Sequence, residues 1–200
     1  MRSKLALIAI VGFVLPSMAT AQSPLESNSL SVELRGELAY PTATLNDRFD
    51  LESGFGFGIA GKYAIAPILT LYAGWDRFEF DGGAEDAGVE LVDRGVRLGA
   101  QVESSEPVGP ITPFATAGLI FNRASLEITN SRGTTKISGE RSVGYEIGGG
   151  GLIPLIENFW LVPEVRFRSH PSSWEAATGA TEVRITYFAL NLGLVIRIPR

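Results

Sequence analysis

The sequence predicts an all-β protein, an eight-stranded antiparallel up-and-down transmembrane β-barrel. Three observations predict this fold. After an N-terminal export signal, the chain contains eight segments in which apolar and polar residues alternate. Long and short connections between these segments also alternate. Finally, one face of most segments is apolar, whereas the other carries charges of both signs and many glycines. Two hundred residues suit a single domain.

The N-terminus has the composition of a cleaved export signal. Arg2 and Lys4 precede an apolar run from Leu5 to Leu15, and Ala19-Thr20-Ala21 provides small residues for cleavage. The run has 11 residues, well short of the ~20 that a membrane-spanning helix needs. The sequence therefore predicts a signal peptide over 1–21, a short linker over 22–29 and the barrel domain over 30–198.

Composition excludes several classes of function. The chain has no cysteine, so it can form neither disulfides nor thiolate metal sites. Its single histidine, His170, rules out a multi-histidine metal centre. The net charge is −5 without any basic stripe, so we expect no nucleic-acid partner. We likewise expect no cofactor and no bound metal.

The eight alternating segments and their connections follow in order along the chain. The predicted strands are 30–40, 55–65, 68–80, 91–102, 111–122, 142–153, 159–168 and 183–198. The predicted long loops are 41–54, 81–90, 123–141 and 169–182, and the short links are 66–67, 103–110 and 154–158. In outer-membrane barrels the short turns lie in the periplasm and the long loops outside the cell. An even number of strands places both chain ends on the short-turn side.

The two faces of each segment decide which side contacts the lipid. In the stretch LSVELRGELAY (Leu30–Tyr40), Glu33, Arg35 and Glu37 alternate with apolar or small residues. An eight-stranded lumen is only wide enough to be filled by side chains, and the apolar faces are too bulky to fit it. The charges should therefore point inward and pair with each other, because an unpaired buried charge is costly. The predicted lumen network is Glu33, Arg35, Glu37, Lys62, Arg97, Glu146, Glu164, Arg166 and Arg168.

Aromatic residues cluster near both ends of the predicted strands, as expected for lipid-facing walls. The predicted aromatic girdle at the long-loop ends consists of Tyr40, Phe55, Phe57, Trp75, Phe121 and Phe167, with Phe80 beside them. Tyr63, Phe159 and Trp160 form a second belt at the short-turn ends.

Two stretches carry a resemblance to a known family. ITPFATAGLIF (Ile111–Phe121) reads as a turn followed by a strand. VGYEIGGGGLIPLIENFWLVPEVRFR (Val143–Arg168) reads as a glycine-rich strand, a short turn and a returning strand. On these stretches the chain, from about Leu30 to Ile198, resembles the small outer-membrane β-barrel family, the OmpA/OmpX-type eight-stranded barrels. Members of that family often end in an aromatic residue, whereas this chain ends in Ile198-Pro199-Arg200.

One constellation offers a catalytic alternative. His170 and Ser172 follow the seventh segment, and Glu175 and Glu182 come after them. The arrangement resembles the lipid A 3-O-deacylase barrels, and this resemblance implies Ser172 as nucleophile, His170 as base and Glu182 (or Glu175) as the orienting acid. In that family Asn-Ala follows the serine, whereas here Ser173-Trp174 does.

The leading functional hypothesis is a non-enzymatic outer-membrane protein with a structural or surface-interaction role. Its expected partners are outer-membrane lipid and lipopolysaccharide, the barrel assembly machinery and an extracellular ligand at the long loops. The alternatives are a lipid A-modifying acyl hydrolase, a small-solute porin-like leak, and a periplasmic lipocalin-like carrier whose charged face meets solvent.

Overall fold

The computed structural model describes residues 27–42, 51–83, 88–130, 133–176 and 179–199, and these residues form a single closed sheet. The strands are β1 Leu30–Pro41, β2 Gly54–Ala66, β3 Leu69–Asp81, β4 Val89–Glu103, β5 Thr112–Asn130, β6 Gly133–Ile156, β7 Phe159–Ala176 and β8 Gly179–Ile198. The predicted signal peptide and residues 22–26 of the linker lie outside the described residues. Within the described ranges, no helix is long and apolar enough to cross a membrane.

Every strand pairs antiparallel with its neighbours in sequence, and β1 pairs with β8 to close the ring. The closing register runs from Leu30 opposite Ile198 to Pro41 opposite Tyr187. The predicted fold class is confirmed. Both ends of the barrel domain lie at one rim, together with the short connections between β2 and β3, β4 and β5, and β6 and β7. We call this the short-turn rim and the opposite one the long-loop rim.

The last four strands extend further toward the long-loop rim than the sequence predicts. The predicted loops 123–141 and 169–182 are wrong, because most of their residues continue the strands and only short connections remain. A register shift between Arg123 and Ser125 places one extra residue on β6 and so interrupts the alternation of that strand. In β7, Pro171 and its serine neighbours have the composition of a loop, although they pair with β8.

The outward face carries a continuous apolar belt. Leu34, Phe57 and Leu98 are each about half exposed, at 48%, 49% and 51%. Similar residues recur on every strand of the ring. Leaving half of each such side chain in water would cost about 1 kcal/mol per residue, so the belt is the surface that contacts hydrocarbon.

The interior has three layers. Charged residues occupy the centre. An apolar cluster fills the short-turn end and consists of Phe114, Leu152, Trp160, Val162 and Val195. A larger one fills the long-loop end; its described members include Phe78, Phe80, Leu91, Trp174, Ile185 and Tyr187. The charged centre of the interior therefore lies between two apolar clusters.

Two predicted belt residues belong to these inner clusters. Phe80 is fully buried, and Trp160 is only 4% exposed. Both predictions were wrong because strand alternation places each residue on the inward face: Phe80 has the parity of Asp76, and Trp160 has that of Glu164. The Arg197 guanidinium lies 5.0 Å from the centre of the Trp160 ring.

On β3 both faces of the wall reverse polarity at the same level. Along this strand the outward residues run Leu71, Ala73, Trp75, Arg77 and Glu79, and the inward residues run Tyr72, Gly74, Asp76, Phe78 and Phe80. Below Arg77 the outward face of β3 is apolar and its inward face is polar or small, as in a membrane protein. From Arg77 upward its outward face is polar and its inward face apolar, as in a water-exposed barrel.

The assignment of faces can be tested with two adjacent cysteines, since the chain has none of its own. Leu192 is 57% exposed and Asn191 is 6% exposed, and the two lie at nearly the same depth. After fluorescent labelling in vesicles that contain spin-labelled lipids, Leu192→Cys should be quenched and Asn191→Cys should not. The reverse pattern would show that the face assigned to the interior contacts lipid.

Candidate functional site

The charged interior is centred on Glu146 of β6, which is 1% exposed. Its carboxylate accepts a hydrogen bond of 2.9 Å from the Tyr72 hydroxyl. The guanidinium groups of Arg97, Arg166 and Arg168 lie 3.3, 3.5 and 3.3 Å from its oxygens. One carboxylate thus contacts three arginines from two other strands.

A second group lies nearer the short-turn rim around Glu33. Its carboxylate is 3.0 Å from Arg35 Nη2 and 2.5 Å from Lys62 Nζ. Lys62 also donates to Gln101 Oε1 at 2.9 Å, and Gln101 donates in turn to Glu103 at 2.8 Å. Polar contacts therefore continue toward the apolar cluster at the short-turn end.

Glu164 joins the two groups. Its carboxylate lies 2.6 Å from Arg166 Nη2 and 3.7 Å from Arg35 Nη1, and it accepts a 2.9 Å hydrogen bond from Thr116 Oγ1. Glu37 is 3.9 Å from Arg166 Nη1. All nine residues of the predicted lumen network are less than one-tenth exposed, and contacts within 4.0 Å join them into one network.

Sequence reasoning missed three acidic residues of the described interior, which are Asp76, Asp93 and Glu103. Asp76 Oδ2 lies 3.2 Å from Arg97 Nε and 3.1 Å from Arg168 Nη2. Asp93 lies further toward the long-loop rim and is fully buried. Strand parity was the available signal, because Asp76 alternates with the outward Trp75, and Asp93 shares the face of Arg97.

Glycines make room for the central tyrosine. The Tyr72 ring lies against Gly99 and Gly118, which are paired on β4 and β5. A Cβ at Gly99 would come within 2.3 Å of the Tyr72 hydroxyl oxygen, and one at Gly118 within 2.6 Å. The Arg97 guanidinium lies 4.8 Å from the centre of the same ring. Small residues on the wall therefore fix the position of Tyr72 and of its bond to Glu146.

His170 lies inside the barrel, above the arginines. Its Nε2 is 3.2 Å from Asp93 Oδ2, which also accepts hydrogen bonds from Tyr187 and Asn122 at 2.9 and 2.8 Å. Its Nδ1 is 3.0 Å from both the Pro171 carbonyl oxygen and the Ser142 hydroxyl. A carbonyl can only accept and a carboxylate faces the other nitrogen, so this imidazole is placed to donate from both nitrogens.

The proposed catalytic serine is not bonded to this histidine. Ser172 faces the interior at 1% exposure, and its hydroxyl has no hydrogen-bond partner among the described residues. The side chains of Glu175 and Glu182 lie outside the described part of the structure. His170 is thus engaged with Asp93 and Ser142, and Ser172 lies on the inner surface of the wall, away from acyl chains.

The predicted girdle residues lie on the outward face near the long-loop edge of the belt. Tyr40, Phe55 and Phe57 are 44%, 60% and 49% exposed. Phe57 packs edge-on against Trp75 with ring centres 5.7 Å apart, and Phe167 contacts Phe188 at 5.1 Å.

Beyond the belt, the outer wall carries a short row of acidic residues. Asp81, Glu90 and Glu127 are directly opposite one another on β3, β4 and β5. Partial burial and the nearby carboxylates of Glu79 and Glu127 raise the pKa of Glu90. Glu127 is paired with Lys136, which lowers the pKa of Glu127.

Comparison with solved structures shows the same architecture in outer-membrane proteins. Neisserial surface protein A matches with a TM-score of 0.64 and 17% identity, covering 84% of this chain and 97% of that one. OprG from Pseudomonas aeruginosa matches with a TM-score of 0.59 and 13% identity over 87% of this chain and 97% of its own. The E. coli outer membrane protein W matches with a TM-score of 0.56 and 13% identity, covering 86% of this chain and 99% of that one. At these identities the likeness is one of fold.

No protein-family model matches the sequence, and no curated protein matches it. The chain therefore has the fold of the small outer-membrane β-barrels, while its function has to be argued from its own residues.

Proposed function

We propose that this chain is a non-enzymatic β-barrel of a bacterial outer membrane, exported through its N-terminal signal, with a closed interior and a structural or surface-interaction role. The observation that carries the proposal is the filled lumen. Buried ion pairs occupy its centre, and an apolar cluster lies at each end. Eight strands enclose only enough space for side chains, so solute would have to displace both clusters and separate paired charges.

The arrangement around His170 supports a role without catalysis. A nucleophile needs an adjacent base with a free acceptor nitrogen, and both nitrogens of His170 face acceptors. Asp93 receives bonds from a tyrosine and an asparagine as well. This cluster is built as a structural bridge between β4, β5, β7 and β8.

The outer part of the barrel is the surface available for interaction. β5 to β8 extend beyond the apolar belt. The apolar cluster at the long-loop end packs against their inner face. An extracellular ligand would meet these rigid strand ends and the loops between them. Insertion by the barrel assembly machinery is part of the proposal, as for other chains of this architecture.

Reconstitution into planar lipid bilayers tests the closed lumen. The barrel should be found in the membrane fraction, and on a gel it should migrate as a heat-modifiable band. In the bilayer the purified protein should give no steady conductance steps. A large porin inserted under the same conditions serves as the positive control. Reproducible small steps from the wild-type chain would favour a solute leak instead, and a product that needs no detergent for extraction would reject the membrane location.

A further inference from the structure

Four arginines form a continuous row across the outer wall. Arg77 of β3 is directly opposite Arg94 of β4, Arg94 is opposite Arg123 of β5, and Arg123 is opposite Arg141 of β6. Directly opposed residues on one face of an antiparallel pair have Cβ atoms ~4.5–5.5 Å apart, and like charges in these positions repel. The row therefore concentrates positive charge on the outside of four consecutive strands.

Most of this charge has no counter-ion within the described residues. Arg77 is paired with Glu79 at 2.6 Å. In the described part of the chain, no carboxylate lies within 4.0 Å of the guanidinium of Arg94, Arg123 or Arg141. Arg123 donates from Nε to the carbonyl oxygen of Gly139 at 2.8 Å. That bond orients the guanidinium while leaving its two terminal nitrogens available.

An apolar row lies immediately below the arginines. Two residues further toward the short-turn rim, Trp75, Val96, Phe121 and Val143 are opposite one another in the same order. Parts of both rows line a groove of about 530 Å³, which includes Arg94, Arg123 and Arg141 above and Trp75, Phe121 and Val143 below. The Cα atoms of each arginine and of the apolar residue below it are thus about 7 Å apart along the strand.

We propose that this groove, the arginine-row site, binds the phosphate groups of lipopolysaccharide in the outer leaflet. The inference rests on the proposed outer-membrane location. The row lies at the long-loop edge of the apolar belt, where the headgroups of the outer leaflet are found. Guanidinium forks match phosphate oxygens in geometry and charge, and the apolar row contacts the acyl chains below. Lipopolysaccharide carries both phosphate groups and acyl chains and can therefore contact both rows, whereas a free anion can contact only the arginines.

The test compares the unfolding midpoint of the barrel in vesicles of different composition. The three preparations are phosphatidylcholine alone, phosphatidylcholine with lipopolysaccharide lacking O-polysaccharide, and phosphatidylcholine with the same lipopolysaccharide after removal of its phosphates. The variant is Arg94→Gln/Arg123→Gln/Arg141→Gln. Arg184→Gln is the control, because Arg184 is an arginine of β8 outside the row and its guanidinium contacts the Ser169 hydroxyl at 3.4 Å.

Intact lipopolysaccharide should raise the midpoint of the wild type and of Arg184→Gln, and the dephosphorylated form should not. The triple variant should lose this rise and bind lipopolysaccharide at least about tenfold more weakly. In phosphatidylcholine alone, the triple variant should be at least as stable as the wild type, because the repulsion has been removed.

Two further preparations identify which phosphate compound the site binds. Phosphatidylglycerol vesicles and added inorganic phosphate should each stabilise the wild type less than lipopolysaccharide does. The inference is overturned if the triple variant keeps the full rise in unfolding midpoint. It is also overturned if dephosphorylated lipopolysaccharide or phosphatidylglycerol raises the wild-type midpoint as much as intact lipopolysaccharide does. A wild-type chain that fails to enter any of the vesicles would instead refute the proposed function itself.

Discussion

Replacing Glu146 with alanine is expected to destabilise the folded barrel by about 3–5 kcal/mol, because removing one partner of a buried ion pair leaves the other charge uncompensated. Glu146 contacts Arg97, Arg166 and Arg168, so three guanidinium groups lose a partner at once. The free energy of unfolding can be measured by urea titration in vesicles, with the intrinsic tryptophans as fluorescent reporters.

Glu79→Ala is the matched control for this substitution. Glu79 also contacts an arginine, at 2.6 Å, but its side chain is 46% exposed. Exposed pairs contribute only about 0–1 kcal/mol. Equal losses in the two variants would show that the charged interior contributes no more to stability than a surface pair does.

Replacing Gly99 with alanine is expected to cost about 1–3 kcal/mol through overpacking. The added methyl group would lie 2.3 Å from the Tyr72 hydroxyl oxygen and 2.5 Å from the Ala117 carbonyl oxygen. Tyr72 would have to move, and its bond to Glu146 would be lost with it. The same urea titration measures the loss of stability.

Gly36→Ala provides the control, since it adds the same methyl group on the lipid side of β1. No atom lies within 4 Å of a Cβ at Gly36. Reduced freedom of the unfolded chain makes this change neutral or slightly stabilising, by up to about 1 kcal/mol. A loss at Gly36 as large as that at Gly99 would mean that backbone preference, not the packing of Tyr72, controls both positions.

The architecture was predictable from the sequence because a membrane imposes alternation with unusual strictness. Wherever the wall contacts lipid, every second residue must be apolar, as along β1 from Leu30 to Tyr40. The same rule identified the face of Arg97 and Glu146. The same alternation was sufficient to place Asp76 and Asp93 on the inward face.

The region outside the membrane was less predictable for a physical reason. There, as along β3, the outward face becomes polar and the inward face apolar, so the simple membrane pattern fails. Phe80 consequently looked like a girdle residue, and the strand extension around Pro171 looked like a loop. The register shift opposite Arg123 and Ser125 also changes the phase of β6, which no local sequence pattern indicates. The contact between Ser142 and His170 depends on how β6 pairs with β7, which the sequence alone does not reveal.

The reversal of polarity along β3, which the arginine row continues across the outer faces of β4, β5 and β6, limits how deeply this side of the barrel is immersed. Sinking by two residues along the tilted strands, about 5 Å of depth, would carry Arg94 and Arg123 toward hydrocarbon, where the cost of an arginine grows with depth to about 2–4 kcal/mol at the midplane. Rising by the same step would lift Trp75 and Phe121 into water. On these four strands, vertical position is therefore encoded in the wall itself.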